Sequence, residues 1–187
     1  MLPRSFYARA AVDVAHDLLG KIIVYGDCAG RIVEVEAYLG VHDLAAHAAA
    51  GLTNRTRVLF GPPGHAYVYL NYGIHECLNF VAEPEGEAGC VLIRALEPLA
   101  GIELMRARRP AAKRDEDLCS GPGKLTKAMD ITRALNGADV TGSGPFVVRA
   151  PQPDLRFEMA TGVRIGITKC ADWPLRFWIK GSPFVSR

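Results

Sequence analysis

Short segments typical of β-strands recur along this chain of 187 residues, and they constrain its fold more than any other feature. Strand-forming residues are concentrated at 21–25, 31–38, 66–72, 77–82, 90–96, 146–149, 163–168 and 175–180. Helical patterns are predicted at 11–19, 98–109 and 122–129. Most of the predicted strands are separated by short turns, which favours an antiparallel or mixed sheet with helices packed around it. The expected fold class is therefore α+β.

The length of the chain is sufficient for one hydrophobic core and too short for two ordinary domains. Gly, Pro and charged residues cluster in predicted loops at 52–64, 83–89, 109–117, 136–144 and 151–154. Each of these loops is short enough to lie inside a single domain. We therefore expect one domain over residues 1–187.

Membrane and secretory signals are missing from the sequence. No apolar run approaches the roughly 20 residues that a membrane-spanning helix needs, and the first residues lack the apolar block of a signal peptide. The 5 cysteines are an odd number, widely scattered and without a Cys-x-x-Cys motif, which is typical of reduced thiols. These features predict a cytoplasmic protein with no membrane partner.

The net charge of +2 is too small to indicate a nucleic-acid partner, but the charge is unevenly distributed. Residues 1–94 hold 7 Lys/Arg and 10 Asp/Glu, whereas residues 95–187 hold 15 and 10. This asymmetry permits a basic face for DNA, although many soluble enzymes show a similar distribution.

Two glutamates and a tyrosine alternate along the predicted strand at 31–38. Because successive side chains of a strand point to opposite faces, Glu34, Glu36 and Tyr38 share one face, and Val33, Val35 and Ala37 share the other. The polar face is either a solvated surface or the lining of a cleft. In a cleft, like charges raise the pKa of one carboxyl, which suits general acid or base catalysis. The pattern does not distinguish which glutamate would act.

Tyrosines are concentrated in the next pair of predicted strands. Tyr67 and Tyr69 share a strand face, and residues 72–75 are typical of a hairpin tip. Aromatic cross-strand pairs that stabilise the sheet are one explanation. Alternatively, the rings stack on a nucleic-acid base, and Tyr72 with Ile74 acts as a wedge between base pairs.

The segment 118–127 is predicted to open a helix. Ser120 is a candidate N-cap, and Pro122 is acceptable in the first turn. Free N–H groups at this end, together with Lys124, would suit a phosphate, but helix capping explains the pattern equally well. A metal site is not expected, because His42 and His47 are not at the spacing of a zinc helix and no cysteine pair supplements them.

Taken together, these segments resemble the alkyladenine (3-methyladenine) DNA glycosylases of the type shared by bacteria and mammals. The matching blocks occur in family order over nearly the whole chain: IVEVEAYLG at 32–40 with AAH at 45–47; YVY at 67–69 with YG at 72–73 and Asn79; VLIRALEPL at 91–99; LCSGP at 118–122 with KL at 124–125; and LRF at 175–177 with GSPFVS at 181–186.

The resemblance implies a catalytic set for hydrolysis of the N-glycosidic bond of a damaged purine. Glu36 would be the general base for water, and Arg94 would help to hold Glu36 and that water. The backbone carbonyl of Ile165 would be a further contact for the water. This route needs no cofactor and no lysine nucleophile, and it leaves an abasic site.

The resemblance also implies residues that bind the base and the DNA. Tyr38, His47 and Tyr69 would form the walls of the pocket for the flipped base, and Asn79 at its edge would disfavour normal guanine. Tyr72 would occupy the gap in the duplex. The remaining DNA contacts are expected from Ile74, His75, Ser120 and Lys124.

The implied molecule is a monomeric, single DNA glycosylase domain with a curved sheet and a protruding β-hairpin. Its partner would be double-stranded DNA containing 3-methyladenine, 7-methylguanine, hypoxanthine or ethenoadenine. It would be cytoplasmic, and associated with the nucleoid when bound to DNA.

Two stretches depart from the family pattern. Ile74 and His75 occupy positions where mammalian members carry Met-Tyr, which leaves the other DNA contacts of the hairpin open. Residues 106–117 also differ. Their basic side chains either bind phosphate or lie on a solvated helix and loop: Arg106, Arg108, Arg109, Lys113 and Arg114.

Two other functions compete with this one. A non-catalytic damage-binding protein would use the same pocket, but it would not require the water-activating pair of Glu36 and Arg94. A sugar-directed glycoside hydrolase would need two carboxylates that flank the scissile bond, and an aromatic wedge would have no task there.

Overall fold

The computed structural model describes residues 1–151 and 155–186. Within these ranges the helices are α1 Arg4–Tyr7, α2 Ala11–Leu18, α3 Ile102–Arg108 and α4 Pro122–Met129. The strands are β1 Ile22–Tyr25, β2 Cys28–Tyr38, β3 Ala66–Asn71, β4 His75–Ala82, β5 Gly89–Ala100, β6 Phe146–Arg149, β7 Met159–Gly162 and β8 Arg176–Ile179. Short 3-10 turns lie at Gly40–His42, His47–Ala50, Asp115–Asp117 and Arg133–Leu135. No helix of the described residues is both long and apolar enough to cross a membrane.

The strands form one curved antiparallel sheet. Its main order is β3-β4-β5-β2-β1-β6, and β8 pairs with both β2 and β7. Strand β2 is central, because β5 lies along one side of it while β1 and then β8 lie along the other. The predicted α+β class is confirmed, and every strand pair of the described residues is antiparallel.

One face of β2 belongs to the main hydrophobic core. Val35 and Ala37 are fully buried there, as the strand alternation predicts, but Val33 is buried outside this core and Ile32 lies within it. The reason is a pair of register shifts between β2 and β5 on either side of Glu34, which interrupt the alternation. The apolar side of α2 also packs into this core, as the helical spacing of its apolar residues predicted.

Two predicted elements are wrong in position. The predicted strand at 163–168 has no regular structure, because backbone groups there bond to side chains: the Ile165 N–H donates to Glu36 and the Val163 carbonyl accepts from Arg176. Strand β7 precedes it instead. The predicted helix at 98–109 begins only at Ile102, since β5 continues to Ala100 and Gly101 turns the chain with a φ of 71°.

The predicted loops at 52–64, 83–89, 109–117 and 136–144 lie between the helices and strands of the structure, except that Gly89 begins β5 and that Asp115–Asp117 forms a 3-10 turn. The predicted loop at 151–154 falls, apart from its first residue, outside the described residues. Helix α1 was not predicted from the sequence, and its single turn is too short to show a helical apolar period.

The predicted hairpin is confirmed at the edge of the sheet. β3 and β4 pair from Ala66 with Phe80 to Asn71 with His75. Tyr72 and Gly73 both have positive φ values, of 49° and 73°, which close the loop between the strands. Tyr72 is 83% exposed and Ile74 is 72% exposed, so the tip presents apolar surface to solvent.

Candidate active site

Glu34 and Glu36 lie on the same face of β2, and both side chains are completely buried. The interpretation of this face as a solvated surface is therefore wrong. Because an isolated buried carboxylate is strongly unfavourable, both groups need charged or hydrogen-bonding partners. Those partners differ between the two glutamates.

Glu36 is held by groups from three parts of the chain. Its Oε1 accepts the Ile165 N–H at 2.8 Å and lies 3.2 Å from Nη1 of Arg94 on β5. Its Oε2 accepts a hydrogen bond from the Tyr38 hydroxyl at 3.0 Å, and no other described residue donates to Oε2. Oε2 therefore retains a free acceptor position.

The environment of Glu36 has opposing effects on its acidity. Burial raises the pKa of Glu36 above its ordinary value, and the nearby Glu34 adds to this. Arg94, the Ile165 N–H and the Tyr38 hydroxyl stabilise the carboxylate and oppose the increase. Burial also raises the pKa of Tyr38, so its hydroxyl stays protonated and available as a donor. A carboxylate with a raised pKa is a stronger base than one in water.

Glu34 accepts more hydrogen bonds than Glu36 does. Its Oε1 accepts from Nη1 of Arg176 at 3.0 Å and from the Ser186 hydroxyl at 2.9 Å, and Nε of Arg94 lies 3.3 Å away. Its Oε2 accepts the Ser186 N–H at 2.6 Å. The two glutamates thus differ in their partners: Glu34 accepts three hydrogen bonds from Arg176 and Ser186, whereas Glu36 accepts two, from Tyr38 and Ile165.

A cavity of about 260 Å³ opens beside Glu36. Its lining includes the predicted residues Tyr38, His47, Tyr69, Asn79, Arg94 and Ile165. Aromatic rings with a few convergent polar groups are typical of small-molecule sites. The structure therefore brings together the predicted base pocket and the predicted catalytic set, apart from Glu36, whose buried carboxylate contacts the lining residues from beneath.

The aromatic wall contains one residue that the sequence analysis did not assign to the pocket. The Tyr67 and Tyr69 rings lie 5.3 Å apart between centroids with an angle of 30°, and the Tyr67 hydroxyl is 2.9 Å from Nδ1 of His47. The His47 ring meets the Tyr69 ring edge-on at 4.5 Å. The shared strand face of the two tyrosines was the available signal for Tyr67.

His47 is held in its neutral form. Burial, with a contribution from Arg55, lowers the pKa of His47 to about 4. Nη2 of Arg55 lies 3.4 Å from Nε2 of His47. Because arginine only donates, Nε2 acts as the acceptor and the ring proton lies on Nδ1, facing Tyr67.

Asn79 on β4 has a fixed orientation at the pocket edge. Its Nδ2 donates to the Tyr67 carbonyl at 3.1 Å, and its Oδ1 faces the Cys90 thiol at 3.9 Å. Both ends of this buried amide are therefore occupied, and the side chain has little freedom to rotate.

A buried ion pair of Asp43 and Arg164 supports the pocket from behind, and the sequence analysis missed it. Both side chains are 0% exposed. The Arg164 guanidinium also donates to the Ala37 carbonyl at 3.1 Å and lies 4.6 Å from the Tyr38 ring centroid. The two residues are 121 positions apart in the sequence, so no local pattern indicates the pair.

The residues predicted to contact DNA surround the mouth of this cavity only in part. Of these residues only Tyr72 lines the cavity, whereas Ile74 and His75 line another groove with Gly123 of α4. The prediction that Ser120 caps α4 is wrong. Gly121 occupies the N-cap position because it adopts a φ of 158°, and the buried Ser120 hydroxyl instead accepts from Lys124 at 3.2 Å.

The basic side chains at 106–117 are partly neutralised by acidic neighbours. Arg106 pairs with Asp115 at 2.8 Å, and Arg114 pairs with Asp117 at 3.1 Å. These are exposed pairs with small energetic value. A solvated surface is sufficient to explain these two arginines. Among the residues that the structure describes, no group of three or more His, Cys, Asp or Glu side chains is arranged to hold a metal ion.

Comparisons with known proteins agree with the family resemblance. The family model described as methylpurine-DNA glycosylase (MPG) matches residues 5–183. A protein of Methanoculleus marisnigri is 53% identical, and the match covers 100% of this chain and 98% of that protein. Proteins of Methanocella arvoryzae and Burkholderia lata are 50% and 52% identical over 100% of this chain and 96% and 91% of theirs. All three carry the name "Putative 3-methyladenine DNA glycosylase". The chain belongs to the methylpurine-DNA glycosylase family.

Proposed function

We propose that this protein hydrolyses the N-glycosidic bond of damaged purines in double-stranded DNA, with Glu36 as the general base. The observation that carries the proposal is the position of the Glu36 carboxylate. It lies buried beneath an aromatic pocket, and its Oε2 keeps an acceptor position free. The family membership and the names of the relatives support the same activity.

The reaction transfers one oxygen from water to the sugar. Glu36 accepts a proton from a water molecule, the water oxygen bonds to C1′ of the deoxyribose, and the C1′–N bond breaks with its electrons leaving on the base. The products are a free purine and an abasic site. Arg94, 3.2 Å from Glu36, keeps the carboxylate ionised until it takes the proton. The Ile165 carbonyl is proposed as a second contact for the water.

The flipped base occupies the aromatic pocket. Tyr38 and Tyr69 stack on its faces, and His47 completes the wall. Cationic lesions such as 3-methyladenine and 7-methylguanine gain from the electron-rich ring faces and leave as neutral bases. Hypoxanthine and ethenoadenine are neutral lesions and require protonation of the leaving group. The fixed Asn79 amide at the pocket edge would clash with the exocyclic amine of normal guanine.

The hairpin tip is proposed to fill the space from which the base is removed. An enzyme that acts on a duplex base must first extrude it, and apolar side chains inserted between base steps assist this. Tyr72 and Ile74 provide such side chains, with His75, Ser120 and Lys124 as further DNA contacts. Phosphate contacts would make binding weaken steeply as salt is added. We propose a monomer that acts in the cytoplasm on the nucleoid.

The decisive experiment is base release from duplex oligonucleotides that each carry one lesion, analysed by chromatography without added metal. Wild type is expected to release at least one of the four lesions, and Glu36→Gln to release none while binding the same DNA. The matched control is Glu158→Gln, which alters a 70% exposed glutamate paired with Lys180 and should leave release unchanged. Normal turnover by Glu36→Gln would contradict the mechanism.

The competing functions predict other outcomes. Tight lesion binding by wild type without release of any base would indicate a damage-binding protein. A glycoside hydrolase needs a second free carboxylate across the scissile bond, but the nearest carboxylate, Glu34, is engaged by Arg176 and Ser186. The DNA glycosylase is therefore the function that the site supports best.

A further inference from the structure

The Arg94 guanidinium faces a different group with each of its nitrogens. Nη1 lies 3.2 Å from Glu36, Nε lies 3.3 Å from Glu34, and Nη2 donates to the Ser186 hydroxyl at 3.4 Å. A guanidinium is a rigid planar fork. The ion pair at Nε, which has no hydrogen-bond geometry, and the hydrogen bond at Nη2 therefore restrict the direction of Nη1, the nitrogen that faces the Glu36 carboxylate.

Glu34 is itself fixed from two sides of the sheet. Arg176 reaches it from β8, the strand that pairs with β2 at this point. Ser186 donates to it twice, through its backbone N–H at 2.6 Å and its hydroxyl at 2.9 Å. The segment 181–186 follows β8 and brings Ser186 back over β2. A carboxylate that accepts three hydrogen bonds and also faces Arg94 is held in one orientation and can act as an anchor.

We infer that Glu34 is a positioning residue for Arg94 and that Ser186 completes this anchor, so that this one residue of the segment 181–186 contributes to base release. This inference rests on the proposed function, because Arg94 matters here only if Glu36 performs the chemistry. Neither Glu34 nor Ser186 is proposed to touch the DNA or the reacting water.

The charges around Glu36 predict that loss of Glu34 also changes the pH at which Glu36 ionises. Several charged or titratable groups surround Glu36: Glu34 and Tyr38 on β2, Arg94 on β5, Cys77 on β4, and Arg164 in the segment after β7. Arg176 on β8 contacts Glu34 rather than Glu36. Removing the negative charge of Glu34 leaves the positive charges around Glu36 less compensated. The Glu36 carboxyl then ionises at lower pH.

The test compares single-turnover release of 7-methylguanine from duplex DNA across pH for four variants. Glu34→Gln is expected to lower the maximal rate by about 10–100-fold, the loss that a small misplacement of a catalytic group causes. The acidic limb of its rate profile should move to lower pH. Its affinity for lesion DNA should remain within about twofold of wild type, because the anchor does not contact the base.

The Ser186 variants separate the anchor from general folding defects. Ser186→Ala should lower the rate by about fivefold, as expected for one lost hydrogen bond. Ser186→Thr keeps the hydroxyl and should restore the rate. Ser182→Ala is the control in the same segment, because the Ser182 hydroxyl accepts from the Phe184 N–H and has no bond to Glu34. Its rate should equal that of wild type.

Wild-type rate and an unmoved acidic limb in Glu34→Gln would overturn the inference, as would equal rates for Ser186→Ala and Ser186→Thr. If Glu34→Gln fails to fold, the comparison of Ser186→Ala with Ser186→Thr is sufficient to test the inference. Failure of the proposed function looks different, since in that case wild type itself would release no base.

Discussion

Asp43 and Arg164 form an ion pair in which neither side chain has any solvent exposure. Asp43 also accepts the backbone N–H groups of Leu39 and Ala45, and so fixes the loop that leads to His47. Arg164 directly precedes Ile165, whose N–H holds Glu36. A single buried contact therefore joins the two segments that enclose the pocket.

Arg164→Met should destabilise the protein by about 3–5 kcal/mol, because it leaves the Asp43 carboxylate buried without its partner. Urea unfolding followed by circular dichroism measures this loss. The double variant Asp43→Asn with Arg164→Met should recover part of the stability. Lys180→Met, which breaks an exposed pair with Glu158, serves as the control and should cost less than about 1 kcal/mol. Equal losses in the two single variants would show that the buried pair has no special role.

Tyr38→Phe should move the acidic limb of base release to higher pH. The Tyr38 hydroxyl donates to Glu36 Oε2 at 3.0 Å and stabilises the ionised form. Without this donor the pKa of Glu36 increases further, so the Glu36 carboxylate becomes protonated at a higher pH and can no longer act as the general base. The measurement is single-turnover release of 7-methylguanine, whose departure needs no added proton. In Tyr67→Phe, which removes a hydroxyl bonded to His47 in the same pocket, the limb should stay in place. An unmoved limb in Tyr38→Phe would rule out this contact as an influence on the base.

The His47 ring should remain neutral throughout the physiological pH range. Its pKa is lowered from 6.5 to about 4, mainly by burial and also by Arg55. Between about pH 4 and pH 6.5, His47 is therefore protonated in the unfolded chain but neutral in the folded protein. The contribution of His47 to stability is complete above pH 6.5 and is lost as the pH falls toward 4.

Imidazole NMR signals measure this titration directly. The His47 signals should stay constant down to about pH 5.5 and shift below it. Arg55→Ala should raise the midpoint, whereas Arg57→Ala, which removes an exposed arginine bonded to Asn54, should not. A wild-type midpoint near 6.5 would contradict the buried, neutral ring.

Tyr72→Ala should weaken binding to lesions in duplex DNA more than binding to the same lesions in single strands. The side chain is 83% exposed, so its removal should change folding stability little. The wedge is needed only where a base leaves a stack. Fluorescence anisotropy with both substrates measures the ratio, and Leu104→Ala tests an exposed apolar residue on α3. Equal losses on duplex and single-stranded DNA would exclude a wedge.

Periodicity along the chain predicted the local parts of this structure and could not predict the contacts between distant parts. It placed Glu34, Glu36 and Tyr38 on one strand face and Tyr72 at a hairpin tip, and both placements are confirmed. It left open whether the face is solvated, because the residues that bury it come from other strands and from the segments 163–167 and 181–186. The family resemblance supplied the pocket residues and is confirmed at the level of the family and the DNA glycosylase class.

The wrong predictions have the same physical origin. Residues 163–168 have the composition of a strand, but their backbone groups bond to Glu36 and Arg176 and no neighbouring strand pairs with them within the described residues. Ser120 has the composition of an N-cap, but its hydroxyl receives Lys124 instead. In both cases a side-chain hydrogen bond replaced the bond that the pattern predicted, from the distant Glu36 at 163–168 and from the nearby Lys124 at Ser120.

Strand β2 is flanked by β5 and β8 at Glu36, whereas Tyr72 lies on the loop at the sheet edge. Regions with these surroundings open on very different timescales in native-state hydrogen exchange. The amides around Glu36 should exchange only when the whole sheet comes apart, and those at the hairpin tip should exchange through small local openings. In the proposed reaction, the easily opened hairpin tip would therefore contact each base pair, while the slowly exchanging strand β2 holds the Glu36 carboxylate in place.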